Sequence, residues 1–281
     1  MQITKFFRGF KQLSFRIQPD QFKYESKYNF YNYTFIFQIN PSHSFIHSLI
    51  CLLQIYKEQV LNLNLNYTIQ KQMIQEENHF DTLEDLLNSS KILVSELDID
   101  LINNFIGDAG VSSLCSILIT CKNLSNLTLN LYDNSISDQG ASNLCFSLVN
   151  CKNLSTLKLH LDYNLITDEG TQNIGSALSN CYNLSILELY LKSNQIGDKG
   201  VSDLGFTLQN CKNLIILTLY LESNFIRDQG ITNLSSALTK YKKLQFLTMY
   251  LEWNKISEVY KQKFRSKLLI INRLVNLQIF I

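Results

Sequence analysis

Leu157, Leu159 and Leu161 alternate with Lys158 and His160, the period of two of a strand with one buried face. A few residues on, Ile174, Ala177 and Leu178 fall at helical spacing, with Asp168 placed to cap the helix start. The same two patterns return every 30 residues. Cys121, Cys151, Cys181 and Cys211 keep that step, with Tyr241 in the fifth place. So do Asn104, Asn134, Asn164, Asn194, Asn224 and Asn254, and Ile106, Ile136, Ile166, Ile196, Ile226 and Ile256. Gly110, Gly140, Gly170, Gly200 and Gly230 follow, as do the capping candidates Asp108, Asp138, Asp198 and Asp228. Each unit therefore reads strand, turn, helix, return loop. One unit cannot cover its own apolar faces; stacked units bury them against each other.

The repeated residue types have physical reasons. An Asn at every turn can satisfy backbone groups of its own bend and of the adjacent coil, forming an internal ladder. The Gly falls in the first helical turn, where a side chain would crowd the neighbouring coil. Cys115, Cys145, Gly175, Gly205 and Ser235 share one helix column that demands a small residue. Both cysteine columns read as buried small hydrophobes, neither nucleophiles nor metal ligands.

Leu124-x-x-Leu127-x-Leu129, then Asn134-x-Ile136, then Gly140-x-x-x-Leu144-x-x-x-Leu148 and Cys151 together resemble the leucine-rich repeat family, in its long, helix-bearing, ribonuclease-inhibitor-like class. The match runs over roughly residues 91–281. The resemblance implies an α/β fold, a right-handed horseshoe solenoid with parallel strands on the concave face and helices on the convex face. There is one departure: an extra dipeptide places Leu131 before Asn134, which predicts a longer strand. A regular solenoid with a Tyr-rich outward stripe and no catalytic motif reads as a non-enzymatic scaffold that binds a protein through its concave face. Relatives in that family include nuclease inhibitors and activators of small GTPases. A regulatory module, or the repeat part of a longer chain with a catalytic domain, is therefore the alternative.

Outside the regular array the register weakens. Residues 1–30 form a basic, aromatic lead-in. Residues 31–90 read as degenerate capping repeats, with strands at Tyr33–Phe37 and Leu61–Leu65, a buried helix over Phe45–Tyr56, and Phe80, Leu83, Leu86 and Leu87 on a further helix. Residues 91–281 are the repeats proper. Ser257–Leu268 predicts a helix with a basic face, Lys261, Lys263, Arg265 and Lys267. Leu274, Leu277, Ile279 and Ile281 begin a last strand whose open edge points to self-association or a further domain.

Composition narrows the partner. Only 17% of residues are charged, 25 Lys+Arg against 24 Asp+Glu, a formal net charge of +1. That balance argues against nucleic acid and against a membrane surface as the main partner. The apolar run Phe45–Tyr56 is short of the roughly 20 residues a bilayer span needs. No apolar signal peptide opens the chain, although its lack of acids before Asp20 leaves a mitochondrial-type presequence open. Seven cysteines without CxxC or a Cys/His cluster, and sequons such as Asn153-Leu-Ser155 that merely follow the repeat, point to a cytoplasmic protein with reduced thiols.

No GxSxG, P-loop, HExxH or kinase signature is present, and the periodic glycines already have structural duties, so no catalytic, cofactor or metal residue is expected. The candidate partner-binding residues lie on the outward strand columns. His160, Tyr190, Tyr220 and Tyr250 occupy one; Tyr132, Asp162, Lys192, Glu222 and Glu252 the next, with Trp253 beside them. With strands about 4.8 Å apart, the three tyrosines make a contiguous stripe. Such a stripe can anchor a protein partner or simply stabilise the sheet.

Overall fold

The structure, a computed structural model, describes residues 79–89 and 94–281. Expectations for residues 1–78, including the lead-in and the strands and helix at 33–37, 45–56 and 61–65, lie outside the described residues.

Strands and helices alternate throughout. They are β1 His79–Phe80, α1 Leu83–Asn88, β2 Glu96–Asp100, α2 Gly107–Leu118, β3 Asn126–Asn130, α3 Asp138–Leu148 and β4 Thr156–His160. There follow α4 Asp168–Leu178, β5 Ile186–Tyr190, α5 Asp198–Leu208, β6 Ile216–Tyr220, α6 Asp228–Leu238, β7 Phe246–Tyr250, α7 Glu258–Leu269 and β8 Asn276–Phe280. The strands form one open parallel sheet in chain order, each pairing with the next. From β2 onward like positions stand side by side: Leu127 with Leu157, Leu157 with Leu187, Leu187 with Leu217. This is a leucine-rich repeat solenoid. The inward leucines of each strand, the Ile after each Asn, and helix residues such as Leu144, Ile174 and Leu204 make one continuous core.

Three local readings change. Phe80 sits in β1, paired with Ile99, and the helix starts only at Leu83. The strands stay five residues long despite the extra dipeptide. The added residues run on as extended chain whose N–H groups still reach the next coil: Leu131 to the His160 carbonyl, 2.9 Å, and Asp133 to that of Asp162, 3.0 Å. The repeated Asp does not cap its own helix. In α3 to α6 it is the first helical residue, and its carboxylate serves the following coil. Asp138 accepts the N–H and hydroxyl of Thr167, at 2.7 and 2.6 Å. Asp168 accepts the N–H groups of Gly197 and Gly200, at 2.6 and 2.9 Å. Gly197 and Arg227, the N-cap residues of α5 and α6, make no side-chain cap, so the preceding coil supplies the missing oxygen.

The Asn ladder forms as expected. Asn164 donates to the carbonyls of Leu131 and Asp162 and accepts from the N–H groups of Asn134 and Ile136. The Asn residues of the sequons also tie coils together: Asn153 donates to the Lys122 carbonyl and Asn183 to that of Lys152. All six cysteines among the described residues are buried free thiols.

Candidate functional site

Each strand of the regular array turns alternate side chains away from the core, and the register fixes which of them meet. Tyr190 pairs with Tyr220, and Tyr220 with Tyr250. Strand spacing holds planar side chains near stacking distance, and the rings lie almost parallel. Centroids of His160 and Tyr190 are 3.7 Å apart, Tyr190 and Tyr220 4.0 Å, Tyr220 and Tyr250 4.4 Å. A fifth ring, Phe280, continues the ladder at 4.5 Å and 5°. The step of 30 from Tyr250 pointed to it, but its strand read only as an unfinished element. Because the rings cover one another's faces, the ladder presents edges and phenol hydroxyls outward, half-buried from His160 to Tyr250 and exposed at Phe280.

The surroundings divide into engaged and unengaged groups. Tyr190 donates to Glu188 at 3.1 Å, and Glu188 also meets the Lys158 ammonium at 3.1 Å. Burial first, then its neighbours Tyr220 and Glu188, raise the Tyr190 phenol well above its ordinary range. His160 lies 4.0 Å from Asp162, too far for a hydrogen bond, and burial pulls its pKa down. Asp162 is not an open surface group. It is only 7% exposed, and its Oδ1 accepts the Lys192 N–H at 2.9 Å. Burial lifts its pKa to about 6, against the opposing pull of the backbone hydrogen bonds it accepts.

Tyr132 stands beside Tyr163, centroids 4.9 Å apart, with the Lys192 ammonium 5.9 Å over the Tyr163 ring. Tyr163 lay one position outside the expected columns. Glu222 and Glu252 are half-buried, and the Oε2 atom of each has no hydrogen-bond partner. Burial and the neighbouring Glu252 raise the Glu222 pKa. Trp253 is 84% exposed and has φ 63°, the left-handed region, where equivalent positions carry Asn103, Asp133, Tyr163, Ser193 and Ser223. The structure thus brings His160, Tyr190, Tyr220 and Tyr250 into one ladder. Asp162, Lys192, Glu222 and Glu252 follow the ladder residues by two positions along one side of it, with Tyr132 one coil earlier and Trp253 next to Glu252.

Among the described residues no three His, Cys, Asp or Glu side chains converge as metal ligands, and no helix is long and apolar enough to cross a membrane. The thiols are poor nucleophiles: burial pushes Cys151 and Cys211 up to about 12 and Cys181 up to about 11.

A family model described as Leucine Rich repeat matches residues 123–145 and 182–205. Leucine-rich repeats are generally protein-interaction modules. A search of curated proteins finds no match. Among solved structures, the chain is similar to internalin C2 from Listeria monocytogenes: 25% identity over 72% of this chain and 68% of that one, TM-score 0.39. It is also similar to the actin-binding site 2 of leiomodin-1, at 19% identity over 68% and 94%, TM-score 0.42. A second Listeria monocytogenes internalin, inlF, gives 18% identity over 69% and 62%, TM-score 0.31.

Proposed function

We propose that this leucine-rich repeat solenoid is a non-enzymatic scaffold that docks a protein partner on its concave, strand-lined face. The observation that carries this reading is the aromatic ladder from His160 to Phe280, held at the surface by the register of β4 to β8. Tyrosines on a rigid frame lose little entropy when covered, and they combine apolar area with a hydroxyl that can pair with a partner. The six described thiols are buried, and His160 is stacked on the Tyr190 ring with its pKa lowered by burial, which supports the non-enzymatic part.

The test compares partners recovered with the wild-type chain, with Tyr190→Ala/Tyr220→Ala/Tyr250→Ala, and with Thr218→Arg/Thr248→Arg. The second variant leaves the ladder intact and places bulk beside it. Circular dichroism first establishes that both variants fold. Loss of one partner in both variants is the expected result. Partners unchanged in both would assign the ladder to sheet stability alone.

A further inference from the structure

The charges on this face are not those of the chain as a whole. The full sequence is nearly neutral at +1. Yet the outward columns carry Glu96, Asp98 and Asp100 at one end, then Asp162, Glu188, Glu222 and Glu252, against Lys158 and Lys192 alone. Some of these acids already have partners. His79 stands 3.2 Å from Asp98, Lys158 neutralises Glu188, and Asp162 is bonded to the next coil. Glu96 accepts the Asn126 amide at 3.1 Å and Asp100 the Ile102 N–H at 3.4 Å. Glu222 and Glu252, side by side next to Tyr220 and Tyr250, each keep a buried Oε2 that nothing donates to. The compensating positive charge lies elsewhere, notably on α7, where Lys263 and Arg265 are exposed.

Beside the two glutamates lies uncharged surface: Thr218 and Thr248, the edges of Tyr220, Tyr250 and Phe280, and Ile216 and Phe246 across the strands. Trp253 stands next to Glu252 with its ring free in solvent. A carboxylate adjoining an open indole face fits a guanidinium or ammonium group, which pairs with the first and stacks on the second. The face repels phosphate, and it has no convergent cluster to chelate a metal ion.

We infer that the partner segment received here is basic and apolar: an Arg or Lys side chain enters between Glu222, Glu252 and Trp253, while a neighbouring apolar side chain covers Tyr220, Tyr250 and Phe280. The inference rests on the protein-binding reading above and adds the partner's chemistry. The raised pKa of Glu222, due first to burial and then to Glu252 and partly opposed by Lys192, fits it, since a half-buried carboxylate beside a second one gains from an arriving cation.

The test selects displayed random 12-residue peptides on the full chain, then measures the enriched peptides by fluorescence anisotropy. Proteins compared are wild type, Glu222→Gln/Glu252→Gln and Thr218→Arg/Thr248→Arg. The expected result is enrichment of peptides joining Arg or Lys to an aromatic or aliphatic residue. Their affinity falls roughly tenfold in the glutamine variant and falls further as salt rises from about 50 to about 300 mM. Neutral or acidic peptides that lose binding only in the arginine variant would overturn the basic preference while leaving the protein-binding reading standing. Peptides that bind all three proteins alike would overturn both. The glutamine substitutions preserve shape, and unchanged circular dichroism keeps a loss of binding attributable to charge. Sedimentation velocity covers another occupant. A concentration-dependent dimer lost in both Glu222→Gln/Glu252→Gln and Lys263→Glu/Arg265→Glu would replace the foreign segment with the basic helix of a second copy.

Discussion

Asn194 reaches back one coil to Leu161: its Nδ2 donates to the Leu161 carbonyl at 2.9 Å, while its Oδ1 accepts the Ile166 N–H at 3.0 Å. The side chain is 5% exposed, so both backbone groups depend on it in the absence of water. Asn194→Ala leaves them unpaired, at a cost of about 1–3 kcal/mol for each such group. Urea denaturation is expected to record a loss of about 3 kcal/mol. A variant within about 0.5 kcal/mol of wild type would show that the ladder contributes little.

Gly200 is the second pressure point between coils. A Cβ there would lie 2.8 Å from the Cα of Asp168, and its N–H is held by the Asp168 carboxylate at 2.9 Å. Backbone must therefore move. Alanine favours helix over glycine by about 1 kcal/mol, yet Gly200→Ala is expected to destabilise by about 2 kcal/mol because overpacking prevails. A rise in melting temperature would refute this.

Asp162 makes stability depend on pH. Its folded pKa of about 6 lies above the ordinary 3.8, so folding favours the protonated form. The contribution is complete below about pH 4 and is lost as pH rises through about 6, amounting to roughly 2–3 kcal/mol. Asp162→Asn keeps an oxygen for the Lys192 N–H and cannot ionise. It is expected to match wild type near pH 4 and to exceed it by that margin near pH 8. Parallel stability curves across this window would rule out the assignment.

Trp253 trades stability for exposure. A bulky residue at φ 63° strains the backbone, where Asn tolerates the same conformation. Trp253→Asn is expected to raise stability by about 1 kcal/mol and to weaken the selected peptides roughly tenfold. Unchanged peptide affinity would remove Trp253 from the binding surface.

Much of the architecture was legible because a stacked fold repeats its constraints. A turn that needs Asn, or a helix start that needs Gly, needs it in each coil, so Asn134 to Asn254 and Gly140 to Gly230 announced the register. The Tyr190, Tyr220 and Tyr250 column followed from the same step. What stayed hidden depends on the neighbouring coil. Asp168 looks like a cap for its own helix, and only the stacked geometry reveals that it caps the next one. Asp162 sits in an outward column, yet the Lys192 backbone draws it under the surface. Tyr163 joins the aromatic surface through a contact between coils, which alternation within a strand does not encode, whereas Phe280 lay on the same 30-residue step as Tyr250.

The ring ladder has an optical consequence. Tyr190, Tyr220 and Tyr250, with centroids 4.0 and 4.4 Å apart, are close enough for their transitions to couple. The near-ultraviolet circular dichroism of the native chain therefore carries a tyrosine couplet that reports the ladder's own integrity. Trp253, the chain's single tryptophan, stands outside the stack in solvent, so its emission starts red-shifted and moves blue when a ligand covers that end of the face. One chromophore set follows register and the other follows occupancy, and the unlabelled protein supplies both signals.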